Sequence, residues 1–121
     1  MVFTFALHDR HATELTPEQV KRANQATVVN LGDCVGLKNI PALSKAITVD
    51  LGNCTGLESV PAFPKATHVF LEDCVELESV PAFPRAIHVD LRGCSSLWCV
   101  LAFPSGAEVL LPEHLISNSQ E

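Results

Sequence analysis

The chain contains no tyrosine, one tryptophan and one methionine, and only 18% of its 121 residues are charged. Basic residues are the scarcer sign. Eight lysines and arginines stand against 14 acids, a formal charge of −6, which argues against nucleic acid or an anionic membrane as the main partner. No apolar run approaches the roughly 20 residues that cross a bilayer. The opening, MVFTFALHDRHATEL, lacks a basic start, a long apolar stretch and a small-residue cleavage site, so no secretory signal is expected there. Glycine-rich phosphate loops and paired acid/base motifs are missing from the sequence. No Cys-x-x-Cys spacing occurs, and the five cysteines are odd in number; both facts count against a zinc site or a disulfide framework. What abounds is apolar: 47% of the residues are hydrophobic, enough for one folded domain with a continuous core.

Those apolar residues are periodic. The clause LESVPAFP stands at 57–64 and again at 77–84, each time after Leu-x-x-Cys. Cys34, Cys54, Cys74 and Cys94 fall 20 residues apart, as do Leu31, Leu51, Leu71, Leu91 and Leu111. Val29, Val49, Val69, Val89 and Val109 keep the same step, and so do Leu37, Leu57, Leu77 and Leu97. Further columns run Ile40, Val60, Val80, Val100; Leu43, Phe63, Phe83, Phe103; and Ala26, Ala46, Ala66, Ala86. Together they define four full units, 26–45, 46–65, 66–85 and 86–105, with a fifth begun by AEVLL at 107–111. Self-similarity of this kind is the signature of a repeat solenoid.

The spacing within a unit predicts the shape of one turn. In ITVDL (47–51) and IHVDL (87–91), Val and Leu lie two apart, as the inward residues of a short strand do. Stacked turns then pair these strands in parallel, about 4.8 Å apart, on the concave face. The return path carries VPAFP, and its prolines exclude a helix interior, so an extended, polyproline-like convex side is expected. Ahead of the repeats, Thr16-Pro17-Glu18-Gln19 reads as a capping box opening a helix to about Asn24, with Val20 and Ala23 on its buried side. VFTFAL at 2–7 alternates like a strand. Residues 1–25 are thus an N-terminal cap, 26–111 the solenoid and 112–121 a tail. Little follows to cover Leu110, Leu111, Leu115 and Ile116; either the tail folds back or a second chain meets that end, as in a homodimer.

The phrase Ala46-x-x-Val49-x-Leu51-x-x-Cys54-x-x-Leu57, with three sister copies, resembles the leucine-rich repeats, in a short 20-residue form with cysteine where many members carry asparagine. The VPAFP segment looks like the LPxLP signature of bacterial effector leucine-rich repeats, and LxxCxxLxxVP is similar to repeats of plant immune receptors. The resemblance spans residues 26–111. It implies a module that recognises host proteins, in the cytoplasm or delivered to a host cytoplasm, and that can precede a ubiquitin-ligase or signalling domain. The chain departs from the pattern with alanine at the first leucine position and Leu101 in place of a proline, and it carries no catalytic domain.

Stacked thiols just after each strand read as a structural ladder, since a buried thiol behaves as a small hydrophobe with a weak donor. Disulfides between coils and a bound metal are the alternatives; parallel Cβ vectors disfavour the first. Free thiols fit a reducing compartment. Cys99, off the ladder beside Trp98, is the thiol expected to react. Function falls to the outward positions, which the repeat leaves free. One outward column reads Val28, Thr48, His68, His88, Glu108, and the next Asn30, Asp50, Phe70, Asp90, Leu110. Gly32, Gly52, Glu72, Arg92 and Pro112 follow. An exposed Phe70 between aspartates, a Glu72/Arg92 pair and Trp98 in an otherwise charged column make a protein partner the expected ligand. The partner-binding residues are therefore Thr48, Asp50, His68, Phe70, Glu72, His88, Asp90, Arg92 and Trp98, with Leu110, Leu111 and Leu115 for self-association. His68 and His88, with an aspartate, have the donors for zinc, but cross-strand packing explains the pair as well. No metal, cofactor or enzymatic activity is expected, because inward cysteines and outward histidines cannot form a nucleophile–base pair.

Overall fold

A computed structural model describes residues 3–100 and 103–115, with the backbone alone at Cys99 and Val100. The chain is a parallel β-solenoid. Its described strands are β1 (Thr4–Ala6), β2 (Val28–Asn30), β3 (Thr48–Asp50), β4 (His68–Phe70), β5 (Ser79–Val80), β6 (His88–Asp90), β7 (Cys99–Val100) and β8 (Glu108–Leu110), and helix α1 (Pro17–Gln25) lies between β1 and β2. A six-stranded sheet runs β1-β2-β3-β4-β6-β8. Its register follows the sequence period: Val49 faces Val69, Val69 faces Val89, and Val89 faces Val109. Inward valines and leucines from Val29 to Leu91 are fully buried, so each strand is fixed by the alternation of its own residues.

The cap contributes more than the sequence pattern showed. β1 pairs in parallel with β2 at an offset of 24 residues, Phe5 against Val29, so the first segment is itself a coil with a helix inserted in its return path. That helix begins as expected: Thr16 Oγ1 accepts from the Gln19 N–H at 3.1 Å, and Gln19 Oε1 accepts from the Thr16 N–H at 2.8 Å. It runs to Gln25, with Ala23 fully buried on the core side. No helix among the described residues is long and apolar enough to cross a membrane.

At the corner after β2, β3, β4 and β6 the backbone turns left-handed, at Asp33, Asn53, Asp73 and Gly93, with φ of 68°, 62°, 61° and 83°. Only glycine and the short Asx side chains visit that region readily. The proline-bearing return arcs carry no helix among the described residues, as the prolines require, and they turn left-handed at Leu43 and Phe63, with φ of 50° and 47°. They also hold a small two-stranded parallel sheet that the sequence did not announce, β5 with β7. It forms just ahead of Pro81, where backbone donors are still present, and is extended by the Trp98 N–H to the Glu78 carbonyl at 3.0 Å.

The core is a set of spines. Phe63 and Phe83 stack at 5.7 Å and 11°, and Phe83 and Phe103 at 5.9 Å and 15°. Leu43 occupies the same column one coil earlier, its N–H bonded to Asn24 Oδ1 at 3.2 Å. The four ladder cysteines are free and buried. Each thiol donates to a carbonyl of the preceding coil: Cys34 to Leu7 at 3.1 Å, Cys54 to Leu31 at 3.1 Å, Cys74 to Leu51 at 3.2 Å and Cys94 to Leu71 at 3.0 Å. The ladder thus gives the Leu31, Leu51 and Leu71 carbonyls a second donor, beside the N–H groups of Cys34, Cys54 and Cys74 that already reach them.

Candidate interaction face

The outward face of the six-stranded sheet carries the residues singled out from the sequence, but neighbouring coils cover several of them. Asp50 Oδ1 accepts from the Gly52 N–H at 3.0 Å, as Asn30 Oδ1 does from Gly32 at 3.0 Å. This column is first a turn-capping device. Thr48 lies half-buried in the strand beside it.

Asp90 was expected to face solvent, yet it is 2% exposed. Its carboxylate accepts from Arg92 three times: from Nε at 3.0 Å, from Nη2 at 2.6 Å and from the backbone N–H at 3.1 Å. Burial alone would raise the Asp90 pKa, but the Arg92 side-chain and backbone hydrogen bonds hold it below the ordinary carboxylate value. The expected Glu72/Arg92 pair is accordingly replaced by Asp90/Arg92, because Arg92 reaches the carboxylate two residues back on its own strand edge. Glu72 makes no salt bridge among the described residues, although Arg92 is near enough to favour its charged form. Its Oε1 is buried with no hydrogen-bond partner. Burial pushes its pKa up, its own backbone N–H opposes that, and nearby Asp90 and Asp50 add to the rise. Phe70 accounts for this geometry: it interrupts the Asn/Asp column, so no side chain two residues back caps the Glu72 N–H, and the glutamate bends onto it instead.

Phe70 is half-buried, a correction to its expected exposure, because the His88 ring packs on it at 5.5 Å and 46°. His68 and His88 stack at 6.2 Å and 26°. Their Nδ1 atoms are engaged, His68 with Thr67 Oγ1 at 2.9 Å and His88 with Glu108 Oε1 at 2.9 Å. Among the described residues no group of three or more His, Cys, Asp or Glu is placed to hold a metal ion. Inward thiols are chemically quiet: burial pushes Cys54 up to about 12 and Cys94 up to about 11, and raises Cys34 and Cys74 as well.

The structure adds a column that the sequence missed. Immediately before the strands of the six-stranded sheet stand Phe3, Thr27, Ile47, Thr67, Ile87 and Ala107; Phe3 to Ile87 are hydrogen-bonded in series, as by the Thr67 N–H to the Ile47 carbonyl at 2.8 Å and the Ile87 N–H to the Thr67 carbonyl at 2.7 Å, whereas the Ala107 N–H turns to the Pro104 carbonyl at 3.1 Å. Ile47 is 40% exposed and Ile87 57% exposed. Both follow the buried alanines of the repeat, and two large β-branched residues two coils apart outside the inward columns were the available signal.

At the C-terminal end, residues 112–115 fold back over the last coil. The Leu115 N–H bonds to the Pro112 carbonyl at 3.0 Å, and His114 Nε2 lies 2.6 Å from the Leu97 carbonyl. Leu111 and Leu115 pack half-buried against the core, and Leu110 is half-buried on β8. Trp98 remains 70% exposed. Ile116 and the Cys99 side chain, both singled out from the sequence, lie outside the described residues. Compared with known protein families, with curated proteins and with solved structures, the chain finds no match in any of the three.

Proposed function

We propose that this chain is a non-enzymatic protein-interaction module of the leucine-rich-repeat type, meeting a protein partner on the outward face of its six-stranded sheet. The observation that carries this is the apolar stripe of Ile47 and Ile87 beside the packed rings of His68, Phe70 and His88. Exposed apolar and aromatic groups grouped on one rigid face are what partners bury. An effector-like origin and a reducing, cytoplasmic setting belong to the same proposal, supported by the VPAFP phrase and the free buried thiols.

Size limits the mode of binding. Six three-residue strands, each about 10 Å long and about 4.8 Å apart, give a face of roughly 300 Å². A standard interface takes about 800 Å² from each partner. Rim groups must therefore join the face. The test is affinity capture by wild type, by Ile47→Asp/Ile87→Asp and by the opposite-rim variant Glu58→Lys. The double variant is expected to lose its partner while Glu58→Lys keeps it, both with unchanged thermal unfolding. Loss in Glu58→Lys alone would move the interface to the other rim.

A second proposal is self-association through the last coil, supported by Leu110 on the edge strand β8 and by Leu111 and Leu115 just after it, all half-buried. Light scattering of wild type and Leu110→Glu separates it from the first: a dimer that falls to monomer favours self-association.

A further inference from the structure

Lys45, Lys65 and Arg85 occupy one position of three successive coils, each just before a buried alanine, and all three are exposed. None makes an ion pair or a hydrogen bond among the described residues. The same position in the flanking coils is neutral, Gln25 and Ser105, so the row is confined to the middle of the face. In a chain of net charge −6, three stacked and unpaired cations repel one another, and an anionic partner relieves that repulsion. Two residues further on, in the same three coils, stand Ile47, Thr67 and Ile87.

Building on the proposed interaction face, we infer that this edge docks an amphipathic helix of a partner protein, laid along the solenoid axis with an acidic stripe over Lys45, Lys65 and Arg85 and an apolar stripe over Ile47 and Ile87. The spacing selects a helix. Three coils span about 10 Å, and two helical turns about 11 Å, so one carboxylate per turn meets one cation per coil. An extended strand, with same-side residues nearly 7 Å apart, covers about 13 Å in two steps and slips out of phase. The added edge also widens the small strand face toward the area that a stable complex requires.

The test uses the full chain and a fluorescein-labelled helical peptide of roughly 18 residues, with one glutamate stripe beside one leucine stripe, followed by anisotropy. Saturable binding is expected, weakening at least about tenfold between about 50 and about 300 mM salt. The variant K45E/K65E/R85E, whose changes are all on the surface, is expected to unfold as wild type does and to bind at least about tenfold more weakly. A peptide of the same composition with scrambled stripes is expected to lose as much. No binding at about 1 mM, undiminished binding by the triple variant, tighter binding of a duplex DNA oligonucleotide, or a wild-type dimer abolished by the same three changes each overturns the inference. Capture that survives K45E/K65E/R85E but fails in Ile47→Asp/Ile87→Asp would overturn the helix alone and leave the interaction face standing.

Discussion

Replacing Phe83 by alanine removes the middle ring of the Phe63–Phe83–Phe103 stack, which is fully buried and in contact on both sides. Burial of the ring and the cavity left behind set the cost at about 3–5 kcal/mol, toward the upper end because two aromatic contacts are lost at once. A domain of this size has a total stability of about 5–15 kcal/mol, so the variant loses a large share of it. Phe83→Leu is the informative control. Leucine already fills this column at Leu43, fully buried, so the coil accepts that shape, and the cost is expected near 1 kcal/mol. Coils contact only their neighbours, so the alanine variant also weakens the junction between the halves of the array and broadens its unfolding. Urea titration followed by far-ultraviolet circular dichroism measures both variants. An alanine variant within about 1 kcal/mol of wild type, or equal losses for alanine and leucine, would refute a spine built of stacked rings.

Two carboxylates are expected to act with opposite sign. The Glu72 pKa is raised in the fold, so its contribution is present below the ordinary value of 4.5 and lost as pH rises through the folded value. Glu72→Gln should therefore raise the melting temperature at pH 7 and leave it unchanged near pH 3; a fall at pH 7 would contradict this. The Asp90 pKa is lowered, so its contribution is present above the ordinary value of 3.8 and lost as pH falls through the folded one. Arg92→Ala leaves that buried carboxylate unpaired, so it should lower the melting temperature at pH 7, with the gap closing in acid. A gap independent of pH would show that the ion pair is not the cause. In a Cys99→Ser background the four ladder thiols should resist a thiol reagent at pH 8 and all react in urea, because burial raises every one of them. Rapid labelling of Cys54 in the folded chain would contradict the ladder. Cys54→Ala, losing the bond to the Leu31 carbonyl, should cost about 1–2 kcal/mol in the same urea titration.

The inward half of this molecule is legible in its sequence because every coil buries the same residue types: Val49, Leu51, Cys54 and Leu57 recur with their copies, and each lands in a spine. The helix start was equally plain, since Thr16 and Gln19 carry a local signal. The outward half depends on neighbours 20 residues away. Nothing local to Asp90 says that Arg92 will fold over it, or that the His88 ring will cover Phe70. The alternation of residues 2–7 marked a strand where β1 lies, but its pairing with the repeat sheet was not legible, because a 24-residue offset and the lack of a cysteine break the period. Ile47 and Ile87 were missed because the strand was taken to start its outward face at Thr48.

The central claim is that coils stack in parallel register, one repeat above the next, so that a single row of side chains faces outward. Backbone nuclear Overhauser effects between strands test it directly. The account expects amide–α-proton contacts linking the neighbourhoods of Val49, Val69 and Val89 in a fixed 20-residue step. Cross-strand contacts whose residue numbers rise on one strand as they fall on the other, the mark of antiparallel hairpins, would contradict it.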